Sequence, residues 1–179
     1  MTASDSNPVS PWPEQIFDVL KRAEVRQVGY VPDAGHSRLI KACQDEGSMH
    51  TVSLTTEEEG IALAAGAWLG GQRPALLMQS SGVGNCVNML SLMKSCRFPL
   101  LTLITMRGEW AEFNPWQIPM GHATPQALEM MGALVYRVDQ PEEVADTVEA
   151  AADLAYNGDS VVAVLLSQRL IGRKQWVKK

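Results

Sequence analysis

Two runs in the chain, PALLMQ (74–79) and PLLTLITM (99–106), are continuously apolar and only six to eight residues long, the pattern of strands buried on both faces. SVVAVLLS (160–167) and ALVYRV (133–138) read as further strands, and QVGYV (27–31) and HTVSL (50–54) as shorter ones. Helical patterns fill the intervals. PWPEQIFDVLKRAEV places Ile16, Phe17, Val19 and Leu20 on one face, SRLIKACQDEG closes at Gly47, and a segment opened by three glutamates runs to about Leu69 before Gly70 and Gly71 end it. A turn, SSGVGN, leads into a helix over 85–96, an irregular loop rich in Pro, Trp and Gly covers 107–123, and helices follow over 125–132 and 141–156. Strands alternating with helices through short connections specify an α/β fold, a mainly parallel sheet with helices on both faces. In such sheets ligands sit outside the carboxyl ends of the strands, so the loops after strands 27–31, 50–54, 74–79 and 99–106 are the places to look for chemistry.

At 179 residues the chain has room for one sizeable core, expected over 11–168, between a disordered lead (1–10) and a basic, solvated tail (169–179) carrying Arg169, Arg173, Lys174, Lys178 and Lys179. A net charge of −5 with scattered Lys and Arg argues against a nucleic-acid or anionic-membrane surface. Cys43, Cys86 and Cys96 are odd in number, lack C-x-x-C spacing and fall in helical patterns, as expected of reduced thiols in a cytoplasmic protein. MTASDSNPVS has no basic and apolar signal pattern, and no run approaches the ~20 residues of a membrane span.

Chemistry concentrates in four of the loops. In LTTEEEGIALAAGAWLGG (54–71) an acidic first turn matches the positive end of a helix, and that reading suffices for Glu58 and Glu59. Glu57 is followed by Ala62, Ala64, Ala65, Gly66 and Ala67, small residues that let a backbone or flat ligand come close. QSSGVGN (79–85) is a Gly-rich strand-to-helix turn without the GK[ST] of a P-loop or the third Gly of a dinucleotide fingerprint; it binds a phosphate or merely turns. In VPDAGHSRL (31–39) Asp33 reads as a helix cap after a Pro-initiated turn, and His36 as either substrate-facing or exposed. MRGEWAEFNPWQIPMGHATPQAL (106–128) is long enough to be a lid, and its Arg107 either binds an anion or pairs with Glu109 or Glu112.

Counting nine residues on from Glu57 gives Gly66-Ala67-Trp68, which resembles the E-x8-G-[AY]-[AWY] motif of the pyrimidine-binding domain of thiamine-diphosphate enzymes; Glu58 and Glu59 land on Ala67 and Trp68 instead. The Ser81-Gly82-Val83-Gly84 turn is similar to the family's Ser/Thr-Gly-x-Gly, and the V-P-D turn and the R-G-E with Q-I-P-M-G resemble the sulfopyruvate and phosphonopyruvate decarboxylases. The phosphonopyruvate enzymes carry a P-Q-H form downstream, so the histidine here is displaced to His122. The resemblance runs from about Trp12 to Ser167 and implies a flavodoxin-like domain that binds thiamine diphosphate.

It further implies that Glu57 hydrogen-bonds N1′ of the aminopyrimidine so that the 4′-amino group acts as a base, a role suited to a buried carboxylate with no cation to neutralise it. Ser81, Gly82 and Val83 would lie against the ring, Pro32 would edge the cofactor pocket, and Asn85, Arg107, Gln117 and His122 would face the substrate. The chain has no G-D-G followed by an Asn, so diphosphate and Mg²⁺ are expected on a beta subunit, in paired alpha and beta chains. The implied reaction converts 3-sulfopyruvate to sulfoacetaldehyde and carbon dioxide. The alternatives are phosphonopyruvate or another 2-oxoacid, or a non-catalytic flavodoxin-like regulatory subunit.

Overall fold

The computed structural model describes residues 11–173; the expectations for 1–10 and for Lys174, Lys178 and Lys179 lie outside the described residues. Six strands, β1 (Val25–Tyr30), β2 (His50–Ser53), β3 (Arg73–Gln79), β4 (Leu100–Thr105), β5 (Leu134–Val138) and β6 (Val161–Leu166), form one sheet in the order β2-β1-β3-β4-β6-β5. Every neighbouring pair is parallel. β4 is buried at all six positions, as its unbroken apolar run requires.

Helices cover both faces. On one, α1 (Trp12–Arg22), α2 (Ser37–Glu46) and α7 (Val144–Gly158) bury Ile16, Leu20, Leu39, Val148 and Ala152 against the sheet. On the other, α3 (Glu57–Leu69), α4 (Ser80–Cys86), α5 (Leu90–Cys96) and α6 (Ile118–Met130) contribute Ile61, Ala64, Val83, Met93 and Leu128 to a second core. α1 and α2 end as their sequences dictate: Lys21 and Arg22 occupy the last turn of α1, and Gly47 closes α2 at φ 75°. Among the described residues no helix is long and apolar enough to cross a membrane.

Three expectations are corrected. SSGVGN is the first turns of α4, and the helix expected over 85–96 is two short helices that break after Cys86. The expected loop 107–123 is shorter, with a 3-10 turn at Pro115–Gln117 and α6 starting at Ile118. Pro119 and Gly121 fall in the expected loop, yet a proline is tolerated in a first helical turn, and Gly121 is there because a Cβ would lie 2.0 Å from the Arg107 carbonyl oxygen; Pro125, expected to open a helix, lies inside α6. The solvated tail does not begin at 169, because Gln168–Ile171 form a helical turn, α8, that stacks Arg169 4.9 Å from the Trp110 ring centroid.

β1 is followed in space by β2 on one side and β3 on the other, so the connections diverge between β1 and β3. That switch point opens a crevice at the carboxyl ends of the strands, between the β1–α2 connection and α4. α3 lies tight against β3, since a Cβ on Gly60 would sit 2.3 Å from Leu76 Cδ1, while one on Gly66 would meet nothing within 4 Å. We therefore expect Gly60→Val to destabilise the chain by about 1–3 kcal/mol through overpacking. Gly66→Ala should stabilise it by about 0.5–1 kcal/mol through helix propensity. Urea midpoints measure both, and a neutral Gly60→Val would show that α3 does not seat on β3 in this way.

Candidate active site

The three glutamates divide into three roles. Thr56 is the N-cap of α3, and Glu59 reaches back to accept from the backbone N–H of Thr55 at 2.8 Å and Thr56 at 3.4 Å, which closes a capping box. Glu58 is exposed. Glu57 is buried, 8% exposed, with its side chain folded over Gly82, where a Cβ would lie 2.1 Å from Glu57 Oε1. Asn85 Nδ2 donates to Glu57 Oε2 at 2.9 Å. Oε1 has no hydrogen-bond partner among the described residues, and none of their ion pairs involves Glu57. Burial first, then the nearby charges of Glu57 and Glu58, push the Cys86 thiol up to about 12, so that thiol stays protonated and inert.

α4 carries the wall opposite Glu57. Ser80 is fully buried, its Oγ accepting the Arg107 N–H at 3.0 Å, and its carbonyl accepts from Thr124 Oγ1 of α6 at 3.3 Å. Val83 points into the core at 0% exposure and anchors the helix. These contacts leave Ser81, Gly82 and Asn85 on the Glu57 side.

Asp33 stands across the switch point. It takes Gln79 Nε2 on Oδ1 at 2.8 Å, and Thr105 Oγ1 at 2.6 Å and the Gly35 N–H at 3.1 Å on Oδ2. Gln79 and Thr105 are register partners on β3 and β4, which is why both reach the same carboxylate. Burial raises the Asp33 pKa, but the Thr105 hydroxyl, the field of His36, and the Gln79 and Gly35 donors outweigh it and hold it below the ordinary value. His36 is neither exposed nor facing a crevice: it is fully buried, Nε2 3.1 Å from the Leu103 carbonyl, and burial lowers its pKa despite the opposing effects of Asp33 and the Leu103 and Met78 carbonyls.

The loop after β4 is tied by charge. Arg107 forms a two-point pair with Glu112, Nε to Oε2 at 2.8 Å and Nη2 to Oε1 at 2.5 Å, with side chains 11% and 3% exposed. Of the two readings of Arg107 this is the ion-pair one, and the partner is Glu112, since Glu109 pairs with Arg137. Burial opposes the charge on Glu112, but Arg107 and the N–H groups of Asn114 and Gly108 hold its carboxyl down at about 2. Gln168, buried just after β6, accepts from the backbone N–H of Glu109 and Trp110 and donates to Glu112. Gln117 has a buried Oε1 without a partner, while His122 and Pro32 are exposed.

The structure thus brings Glu57, Ser81, Gly82 and Asn85 together. Arg107 is committed to the loop, and His122 lies on the outer side of α6. Sequence reasoning missed the roles of Gln79 and Gln168, and left Glu112 as one of two possible partners of Arg107. The available signal was a glutamine at the carboxyl end of an apolar, buried strand: Gln79 is the last residue of β3, and Gln168 follows β6 after Ser167.

A family model described as thiamine pyrophosphate enzyme, N-terminal TPP binding domain, matches residues 13–128. The chain is similar to sulfopyruvate decarboxylase subunit alpha of Methanococcus maripaludis, 35% identical over 154 residues that span 86% of this chain and 92% of that one. The subunit of the same name from Methanocaldococcus jannaschii is 34% identical over 151 residues, 84% of this chain and 89% of that one. Among solved structures, 2-oxoglutarate:ferredoxin oxidoreductase from Magnetococcus marinus superposes with a TM-score of 0.70 at 14% identity, covering 92% of this chain and 31% of that longer one, a likeness of fold alone. With a family model that runs from α1 into α6 and relatives matched over most of their length, this chain belongs to the thiamine pyrophosphate enzymes, as an N-terminal TPP-binding domain.

Proposed function

We propose that this chain is the pyrimidine-binding subunit of a two-subunit thiamine-diphosphate-dependent decarboxylase that acts on 3-sulfopyruvate, completed by a beta subunit holding the diphosphate and Mg²⁺. The observation that carries the reading is Glu57: a buried carboxylate beside a glycine, with one oxygen held by Asn85 and the other open. These residues fit the ring of the cofactor. They do not fit its metal, because among the described residues no group of three His, Cys, Asp or Glu is placed to hold one. The relatives' name, subunit alpha, supports a division of the site between chains.

Bound thiamine diphosphate supplies the electron sink that decarboxylation of a 2-oxoacid requires. Glu57 Oε1 would hold the proton at N1′, and Asn85 keeps the carboxylate from turning away. Gly82 keeps that carboxylate accessible, since any side chain there collides with it. Pro32, Ser81 and the backbone at Val83 would complete the wall. The 2-oxoacid would enter the neighbouring cleft of about 200 Å³ lined by Asp33, Gly35, Thr105, Arg107 and Gln168. Arg107, spent on Glu112, acts there by fixing the loop. Countercharge for the sulfonate would come from Arg173, which lines the same cleft, and from the beta subunit, with Gln117 and His122 as further polar groups this chain has to offer.

In the assembled enzyme Glu57→Gln should keep fold and assembly but cut kcat by roughly 10²–10⁴-fold, the range of a lost acid–base group. Glu59→Gln should change little, because the glutamine Oε1 accepts from the same Thr55 and Thr56 N–H groups and keeps the capping box, and kcat should stay within about twofold. Equal, mild effects on kcat would sink the assignment of Glu57. The chain without its partner should bind thiamine diphosphate weakly and with no dependence on Mg²⁺ in calorimetry; tight, Mg²⁺-dependent binding would refute the divided site.

Arg107→Met should lower stability by about 3 kcal/mol, because it leaves Glu112 buried and unpaired. It should weaken sulfopyruvate and pyruvate alike. The Glu112 carboxyl sits at about 2 against an ordinary 4.5, so its contribution is present above pH 4.5 and lost as the pH falls towards 2. The variant should therefore flatten the acid limb of a stability-against-pH curve. A KM effect confined to sulfopyruvate would return Arg107 to the substrate.

A further inference from the structure

Gln79 ends β3 beside the switch point, and its side chain joins two parts of the site. Nε2 donates to Asp33 Oδ1 at 2.8 Å, and Oε1 accepts the Ser81 hydroxyl at 2.9 Å. The direction of this chain follows from Asp33. An ionised carboxylate only accepts, and the other oxygen of Asp33 is taken by Thr105 and the Gly35 N–H. The Gln79 amide nitrogen must face Asp33, which turns Oε1 towards Ser81. A serine hydroxyl has one proton, and Gln79 takes it, so only lone pairs remain for any further partner. The next residue, Gly82, lies under the Glu57 carboxylate, which is itself an acceptor.

We propose that Gln79 is a positioning residue of this site: it fixes Ser81 as an acceptor and holds the first turn of α4, so that Ser81 and Glu57 together present a wall suited to a ligand edge bearing N–H donors. The ligand class is a protonated, amino-substituted nitrogen heterocycle, and the inference rests on reading the crevice as the pyrimidine pocket. Gln79 acts through Ser81. Asp33 acts one step further back, by setting which way the Gln79 amide points.

The test is calorimetric titration of thiamine diphosphate into the chain co-purified with its beta subunit, for wild type, Gln79→Leu, Ser81→Ala, the pair together, and the swap Asp33→Asn with Gln79→Glu. Gln79→Leu and Ser81→Ala should each weaken binding by on the order of tenfold, as for one lost hydrogen bond. The pair should bind no more weakly than Ser81→Ala alone, because the two act in series. In the swap, the amide placed at position 33 donates to the carboxylate placed at position 79, whose other oxygen still accepts from Ser81. Affinity should then return to within about threefold of wild type, whereas Gln79→Glu alone sets two carboxylates together and should not recover. Additive losses, wild-type affinity in Gln79→Leu, or a swap no better than Gln79→Glu would each overturn the proposal. If Gln79→Leu does not fold, the swap decides. A wild-type complex that binds no thiamine diphosphate overturns the pyrimidine-pocket reading, and with it the ligand class; unchanged affinity in the variants of a binding complex overturns Gln79 alone.

Discussion

The contact on which this site depends is the Glu57 carboxylate lying on Gly82, with no space between them for even one carbon. It requires two helices from different strands to meet at their first turns. α3 is brought there by its close seat on β3 and by the capping box that uses Glu59, and α4 by Val83 in the core. A capped helix start at which one carboxylate is buried and partly unsatisfied runs against what stability alone favours. Glu59 meets the stabilising demand of the helix end, which leaves Glu57 free for a different task.

Charge is managed differently on the two sides of the crevice. Around the loop after β4, every buried or half-buried ion has its counterpart: Arg107 with Glu112, Glu109 with Arg137, and Gln168 spanning the acidic pair. Such pairing is what makes buried charge tolerable, and it stiffens a loop that presents Trp116, 82% exposed, to solvent. Glu57 has no such counter-ion among the described residues. A carboxylate left without a cation stays available to share a proton with a bound ring, whereas an arginine beside it would hold it permanently ionised.

Asp33 and Gln79 show how the parallel sheet converts register into chemistry. β3 and β4 end level at Gln79 and Thr105, and β1 ends earlier, at Tyr30 opposite Leu77, so residues from β3 and β4 and from the connection after β1 converge on one carboxylate without any long loop. The resulting polar chain passes from the switch point to the start of α4, which is the wall of the site. On this account the sheet itself, and not the lid, sets the polarity of the pocket.

Much of the fold was legible from periodicity. The buried strands β3, β4 and β6 announce themselves as unbroken apolar runs, and Gly47 and the glutamate cluster mark helix ends by mechanisms that act within a few residues. The spacing from Glu57 to Gly66 likewise separates three identical neighbours, because spacing along the chain is a local property. What was not legible depended on distant neighbours. SSGVGN is helical because Ser80 and Thr124 hold it there, and α6 starts early because Gly121 packs on the Arg107 carbonyl. Arg107 chooses Glu112 over Glu109 because Arg137, 28 residues beyond Glu109 in sequence, has taken the latter. Gln79 and Gln168 carry no motif; their meaning lies in hydrogen bonds across 46 and 56 residues. Local patterns of size, charge and apolarity determined the elements and the candidate carboxylate. Tertiary structure decided which donor meets which acceptor, since a hydrogen bond is specified by distance and direction in space, and those exist only once the strands have taken their places.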